Sequence, residues 1–145
     1  MNWIYNNTEL IIAPDNAFGF IYKITCNTSG KMYIGKKQFI SVCNVPLNKK
    51  DILIHKEGNK RGRVPKKKQV IKPSNWLKYW GSNTDLLSYI KEQGKENFTR
   101  EILKICNHKK QLTYYENKYL YSLGVLENEL YFNSNIQGKF YPEDV

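Results

Sequence analysis

Residues 18–37, FGFIYKITCNTSGKMYIGKK, are the stretch that decides the fold. The run that starts at Phe20 alternates with a period of two and is rich in aromatic and β-branched residues, the pattern of a β-strand. Residues 27–30, NTSG, have the composition of a tight turn, and their glycine can adopt positive φ. We therefore predict a β-hairpin in which Tyr22 and Tyr33 lie directly opposite each other, on one face of a sheet.

The two halves of this hairpin carry a family signature. FIY at 20–22 and YIG at 33–35, with ten residues between the two tyrosines, resemble the GIY-YIG motif, and Phe20 stands where that family usually has glycine. Further matches follow in the family's order: Trp80-Gly81-Ser82, GKENF at 94–98, REIL at 100–103, Tyr114-Tyr115-Glu116 and Asn133. On this ordered series the chain resembles the GIY-YIG endonucleases, in particular the homing or mobile-element members encoded by bacteriophages.

The resemblance implies an α+β fold with a small, three-stranded, mostly antiparallel sheet flanked by helices. It implies a DNA endonuclease that hydrolyses phosphodiester bonds with one divalent ion, Mg²⁺ or Mn²⁺. The expected partner is duplex DNA, bound by a monomer or by a dimer that forms on the DNA. Two other readings remain open: a DNA-binding module on the same fold that has lost its chemistry, and a nuclease for branched DNA or RNA.

The resemblance also assigns roles to individual residues. Glu116 is expected to be the metal ligand, and Tyr22 to take the proton from the attacking water. Tyr33 would hydrogen-bond the water or a phosphate oxygen. Asn133 would support the site or contact the DNA. A phenol has a pKa near ~10, so Tyr22 needs cations beside it, and we expect Lys31, Lys36 and Lys37 to lower its pKa. Taken one at a time, Glu116 would more commonly be an exposed helical glutamate, and each tyrosine a strand residue with its hydroxyl at the rim of the sheet.

The cationic catalytic residue departs from the family pattern. Typical family members present an arginine from a helix that begins soon after the second strand, and this sequence has none there. Its arginines are Arg61, Arg63 and Arg100. Either Arg61 or Arg63 folds back to the site, or a lysine, Lys36 or Lys37, does the same work. Arg100 is expected to be structural.

The rest of the chain is predicted to form one nuclease domain over residues 1–145. Its segments are an N-terminal arm that packs outside the sheet (1–17), the hairpin (18–37), an irregular basic loop (38–75), a helix-strand-helix region (76–123) and a C-terminal tail (124–145). Within the helix-strand-helix region, periodicity and capping residues predict a helix over 84–93, a strand over 97–106 and a helix over 111–123.

Charge points to a polyanionic partner. The chain has 23 Lys and Arg against 13 Asp and Glu, a formal net charge of +10. Much of the excess lies in the 38–75 loop, and we favour DNA contact over a merely solvated, flexible loop. The residues expected to contact DNA are Lys37, Lys60, Lys66, Lys67 and Lys68, together with Asn133.

Composition excludes some other classes of protein. No apolar run approaches the ~20 residues of a membrane span, and the first residues do not resemble a secretory signal. The three cysteines, Cys26, Cys43 and Cys106, have no zinc-site spacing. We expect reduced thiols and a cytoplasmic protein, located in the host cytoplasm if a phage encodes it.

Overall fold

The computed structural model of the chain describes residues 2–58 and 66–145. The elements in chain order are β1 (Trp3–Tyr5), β2 (Thr8–Leu10), β3 (Gly19–Cys26), β4 (Met32–Gln38), β5 (Ile40–Pro46), α1 (Lys49–Glu57), β6 (Lys67–Pro73), α2 (Thr84–Gln93), β7 (Phe98–Cys106) and α3 (Lys109–Ser122). Short 3₁₀ helices occupy Trp76–Lys78, Lys95–Asn97 and Pro142–Asp144. The chain divides into two compact units, residues 40–74 and the remainder, called here the ribbon unit and the sheet unit.

The predicted α+β class and the hairpin are confirmed, but the sheet is larger than expected. It has five strands in the order β2-β1-β7-β3-β4 rather than three. The two additional strands come from the N-terminal arm, which was expected to pack outside the sheet. β1 pairs with β7 in parallel at Ile4 and Glu101, and β2 folds back antiparallel on β1. Strand β4 forms the opposite edge of the sheet.

The expectation of an irregular loop over 38–75 is wrong for the residues that the structure describes there. β5 and β6 form an antiparallel two-stranded ribbon, and α1 lies between them in sequence. Pro46 and Pro73 end the two strands, where a missing N–H costs little. Asn48 and Asp51 form a capping box at the start of α1. The prolines and lysines of this segment led to the prediction of a loop, although it contains two paired strands and a helix.

Apolar side chains cover both faces of the central sheet. One face carries an aromatic cluster that includes Trp3, Phe20, Phe39 and Trp76. On the other face α3 packs through Leu112 and Leu120 over Ile21 and Ile34. The members of both clusters belong to the sheet unit.

Arg100 of β7 lies within the aromatic cluster and is only 3% exposed. Its guanidinium lies 4.6 Å from the Trp3 ring centre and 4.3 Å from that of Trp80. It donates hydrogen bonds to the carbonyl oxygens of Leu77 (3.1 Å) and Tyr79 (2.7 Å). These contacts give Arg100 the structural role that was predicted, because they fix the backbone of residues 77–79 against the sheet.

The predicted helices and the third strand agree closely with the structure. α2 has the predicted bounds and is capped by Asn83, whose Oδ1 accepts a hydrogen bond from the Leu86 N–H. β7 begins one residue later than the predicted strand. α3 begins two residues early because the His108 side chain caps it, accepting from the Gln111 N–H. The three cysteines are free thiols. Among the described residues, no helix is long and apolar enough to cross a membrane.

Candidate active site

The two signature tyrosines lie diagonally across the hairpin. Tyr22 pairs with Gly35, and Tyr33 pairs with Ile24, so both phenols project from the same face of the sheet. Their ring centres are 6.1 Å apart. Tyr22 is almost fully buried, with 1% of its surface exposed. The predicted shared face is therefore found, with a diagonal offset in place of direct opposition.

Glycines make room for these phenols. A Cβ atom built on Gly35 would lie 2.5 Å from the Tyr22 hydroxyl oxygen, so the Tyr22 phenol crosses β4 where no side chain obstructs it. Gly81 has φ +94°, a backbone conformation that favours glycine, and a Cβ there would lie 3.0 Å from Leu86 Cδ2 and at an ordinary contact distance of 3.5 Å from the Tyr22 hydroxyl. The glycine of YIG is thus required by the close approach of Tyr22, whereas the glycine of WGS is required by its own backbone conformation.

Tyr79 is a third phenol at the site, and its part there was not predicted. Its ring centre lies 6.0 Å from that of Tyr22 in an edge-to-face arrangement, and a hydrogen bond with Tyr79 is among the causes that raise the pKa of Tyr22. The Lys37 ammonium lies 4.2 Å from the centre of the Tyr79 ring. In the sequence, Tyr79 falls within the cluster WLKYW, which has the composition of ordinary core packing. The adjoining Trp80-Gly81-Ser82, which matches the family's series of motifs, is the local signal that could have placed Tyr79 at the site.

The phenols hold their protons more firmly than was expected. Burial, and then the neighbouring Tyr33 and Tyr79, raise the pKa of Tyr22 well above its ordinary value. Burial also raises the pKa of Tyr33, although a hydrogen bond with Ser82 opposes that shift. The expectation that nearby lysines would lower the pKa of Tyr22 is therefore wrong for this state of the protein, because desolvation, the neighbouring phenols and Glu116 all raise that pKa.

Glu116 projects from α3 beside the edge strand β4. Its Oε1 lies 3.6 Å from the Lys36 ammonium, which also donates to the Thr113 hydroxyl at 3.4 Å. Burial raises the pKa of Glu116, and Lys36 opposes that rise. The charge of Glu116 contributes to the raised pKa values of both Tyr22 and Tyr33, so the carboxylate and the two phenols form one electrostatic group.

Asn133 binds the backbone of β4 next to Tyr33. Its Oδ1 accepts from the Ile34 N–H at 3.0 Å, and its Nδ2 donates to the Ile34 carbonyl at 2.8 Å. The preceding residues follow the same edge, with Phe132 N–H donating to the Met32 carbonyl at 2.8 Å. This geometry favours the supporting role of Asn133 over direct DNA contact, since its amide is engaged by β4.

A polar cleft of about 270 Å³ opens beside these groups. Tyr33, Glu116 and Asn133 line it, with Asn83, Ser134, Asn135 and Gln137. Residues 2–58 and 66–145 contain no group of three or more His, Cys, Asp or Glu side chains that could hold a metal ion. A metal at this site would therefore take Glu116 as its acidic ligand and fill its remaining positions with water and substrate oxygens.

The predicted basic residues fall in three places. Lys36 lies beside Glu116 and Lys37 beside Tyr79, both in the sheet unit. Lys66, Lys67 and Lys68 lie in the ribbon unit, where the Lys68 ammonium is 2.7 Å from Asp51 Oδ2. Three more were predicted, Lys60, Arg61 and Arg63, and these lie outside the described residues.

A family model matches residues 3–136, which is nearly the whole chain. Its description is "Putative endonuclease segE, GIY-YIG domain". Neither a search of curated proteins nor a search of solved structures returned a match. The matched span includes both strands of the hairpin, the three phenols, Glu116 and Asn133.

Proposed function

Because this chain belongs to the GIY-YIG endonuclease domain family, we propose that it hydrolyses phosphodiester bonds in duplex DNA with one divalent metal ion. The observation that supports this most directly is the convergence at β4 of a buried phenol (Tyr22), a half-buried phenol (Tyr33) and a carboxylate beside an open polar cleft. Hydrolysis needs a held water, positive charge near the phosphate and help for the leaving oxygen. The site has a candidate group for each requirement.

Glu116 would hold the metal ion. Mg²⁺ prefers oxygen ligands, keeps several of its waters and often binds through one or two carboxylates and a substrate phosphate. A single, partly desolvated carboxylate in a polar cleft fits that preference, and Mn²⁺ would fit as well. When bound, the ion supplies positive charge that stabilises the phosphate oxygens and the leaving oxygen.

Tyr22 would hold and deprotonate the attacking water. In the free protein it keeps its proton at neutral pH, since its pKa is raised. We place its deprotonation in the site that holds DNA and the metal ion, where cations would offset the charge of Glu116 and the phenol proton would pass to solvent. The water proton then passes to the Tyr22 oxygen as the new P–O bond forms. The departing alkoxide takes a proton from solvent, and Tyr33 and Tyr79 hold the Tyr22 ring in place.

Lys37 is the better placed lysine to replace the family's arginine. Lys36 is engaged with the Glu116 carboxylate, so its charge mainly serves that group. Lys37 lies on the phenol side, and burial lowers the pKa of its ammonium. We propose that Lys37 contacts the scissile phosphate and that Lys36 keeps Glu116 ionised. Arg61 and Arg63 stay candidates for the same phosphate contact.

Duplex DNA is the proposed substrate because the chain is strongly basic, with a formal charge of +10. The phage homing or mobile-element type, acting in the host cytoplasm, is proposed from the resemblance of the ordered motifs. With one site in each chain, cutting both strands would require two nicks or a dimer formed on the DNA.

The test is nicking of supercoiled plasmid by the full chain with Mg²⁺, with Mn²⁺ and with EDTA. The key variant is Glu116→Gln, and its matched control is Glu92→Gln, since Glu92 is an exposed helical glutamate in the same unit. We expect nicking by the wild type and by Glu92→Gln with either metal, and none with EDTA or by Glu116→Gln. Salt-sensitive DNA binding without nicking under any of these conditions would favour a binding module instead.

A further inference from the structure

The ribbon formed by β5 and β6 presents a distinctive exposed face. Residues directly opposite in an antiparallel pair share a face, and here Asn44 pairs with Gln69 while Val42 pairs with Ile71. All four side chains are exposed, Val42 at 48% and Ile71 at 67%. Two amides flanked by two apolar side chains therefore face outward at the centre of the ribbon.

The other face of the ribbon is less exposed. Cys43, Val45, Lys68 and Val70 are each half-buried, and they alternate with the exposed positions along both strands. The Lys68–Asp51 ion pair ties β6 to α1. The two faces thus differ in burial as well as in composition, and the amide-bearing face is the one that is open to a partner.

The ribbon unit carries most of the net charge of the chain. Residues 40–74 contain ten Lys and Arg against two acidic residues, which gives the ribbon unit a formal charge of +8 out of the +10 of the whole chain. The surface lysines include Lys67, which lies on the amide-bearing face opposite Pro46. A unit with this charge is complementary to a polyanion and unsuited to a basic or neutral protein surface.

We propose that this face of the ribbon enters the major groove of duplex DNA and reads base edges there. The inference rests on the proposed function, because it takes DNA as the substrate. The major groove of B-DNA is wide enough for a two-stranded β-ribbon, and Asn and Gln pair with the N6 and N7 edge of adenine. Val42 and Ile71 are suited to the methyl group of thymine, and Lys67 to a phosphate.

The same features disfavour duplex RNA. The major groove of an A-form helix is too deep and narrow for side chains to read, so a ribbon could only follow its phosphates. We therefore expect the ribbon to prefer DNA sites that contain A·T pairs. Binding to RNA would be weaker and insensitive to sequence.

The experiment uses the full chain carrying Glu116→Gln, so that binding is measured without cleavage. A preferred site is first selected from random DNA duplexes, and its Kd is compared with that of a scrambled duplex. The chain is then compared with the same chain carrying Asn44→Ala and Gln69→Ala. Its matched control carries Asn2→Ala, which removes an exposed amide from the sheet unit. A last arm replaces adenine in the selected site by 7-deazaadenine, which lacks the N7 acceptor.

We expect the selected site to bind at least about tenfold more tightly than the scrambled one. Removing both ribbon amides should abolish most of that preference. The Kd for the scrambled duplex should stay within about threefold of the value for the parent chain. 7-Deazaadenine should weaken binding by the parent chain about tenfold for each contacted adenine, and it should leave binding by the variant without the two amides nearly unchanged.

Three results would overturn the inference: a preference that survives loss of both amides, a preference insensitive to 7-deazaadenine, or equal affinity for duplex RNA of the same sequence. Plasmid nicking by the wild type is scored separately. If nicking persists in those cases, the ribbon proposal has failed and the nuclease proposal stands.

Discussion

The sheet unit and the ribbon unit differ in how they are built. Every residue found buried belongs to the sheet unit, and the described residues of the ribbon unit include none. The sheet unit carries 13 basic and 11 acidic residues, a formal charge of +2, whereas the ribbon unit carries +8. One region holds a packed core with phenols set into it, and the other exposes cations and amides.

This difference suits two separate tasks. Catalysis needs groups held in fixed positions, and the dense packing around Tyr22 provides that. Phosphate contacts need many charges on an accessible surface and little burial. We therefore propose that the sheet unit carries the chemistry and that the ribbon unit recognises DNA.

The largest effect is expected from Tyr22→Phe in the sheet unit. The substitution keeps the buried ring and removes the phenol oxygen that would accept the water proton, so the nicking rate should fall by about 10²- to 10⁴-fold. Tyr114→Phe is the control, since Tyr114 is 62% exposed on α3. A time course of plasmid nicking measures both. Similar rates for the two variants would remove Tyr22 from the chemistry.

The next largest effect is a difference in stability between two substitutions of basic residues, one in each unit. Arg100→Met leaves the Leu77 and Tyr79 carbonyls without their buried donor, and the free energy of unfolding should fall by about 3 kcal/mol. Lys67→Met in the ribbon should change it by less than about 0.5 kcal/mol. Urea denaturation followed by tryptophan fluorescence compares them. An equal loss in both would contradict the contrast in burial.

Ribbon lysines should govern the salt dependence of DNA binding. Replacing the exposed Lys66, Lys67 and Lys72 by alanine should reduce the slope of log K against log salt by about 0.9 for each phosphate that is no longer neutralised. Replacing the exposed Lys91, Lys109 and Lys110 of the sheet unit removes the same charge and should change the slope much less. Titrations at several salt concentrations decide this, and equal slopes would mean that net charge alone matters.

The smallest effect concerns pH within the sheet unit. Lys36 opposes the rise in the pKa of Glu116 that burial causes, so Lys36→Met should raise that pKa further. The ionised carboxylate would then form only at higher pH, and the acid limb of the rate profile should move upward. Lys31→Met, in the same hairpin, is the control and should leave the limb in place. A shift of the acid limb to lower pH in Lys36→Met would contradict the proposed effect of Lys36 on the pKa of Glu116.

Local signals explain what could be predicted from the sequence. The bounds of α2 follow from its Asn83 cap, its apolar spacing and Gly94, all of which lie within a few residues of the helix. Tyr22, Tyr33 and Glu116 were predicted because they fall within motifs of recognisable order. The structure brings these three together at β4 as the resemblance implied, whereas their chemical roles stay predictions.

Long-range contacts explain what could not be predicted. The ribbon pairs Ile40 with Pro73 across 33 residues of sequence, and a lysine-rich composition gives no sign of that register. The arm joins the sheet through one parallel pairing, Ile4 with Glu101. Tyr79 meets Tyr22 because Arg100 fixes its backbone, and that depends on three separate segments.

The most direct test of the division of labour measures Kd and the single-turnover cleavage rate on one DNA duplex with two variants. Glu116→Gln should lose cleavage and keep its Kd within about threefold of the wild type. The Lys66, Lys67 and Lys72 alanine variant should weaken Kd at least about tenfold, yet cleave at the wild-type rate once protein saturates the DNA. If the lysine variant also loses its saturated rate, or Glu116→Gln loses binding, the two units do not divide the work in this way.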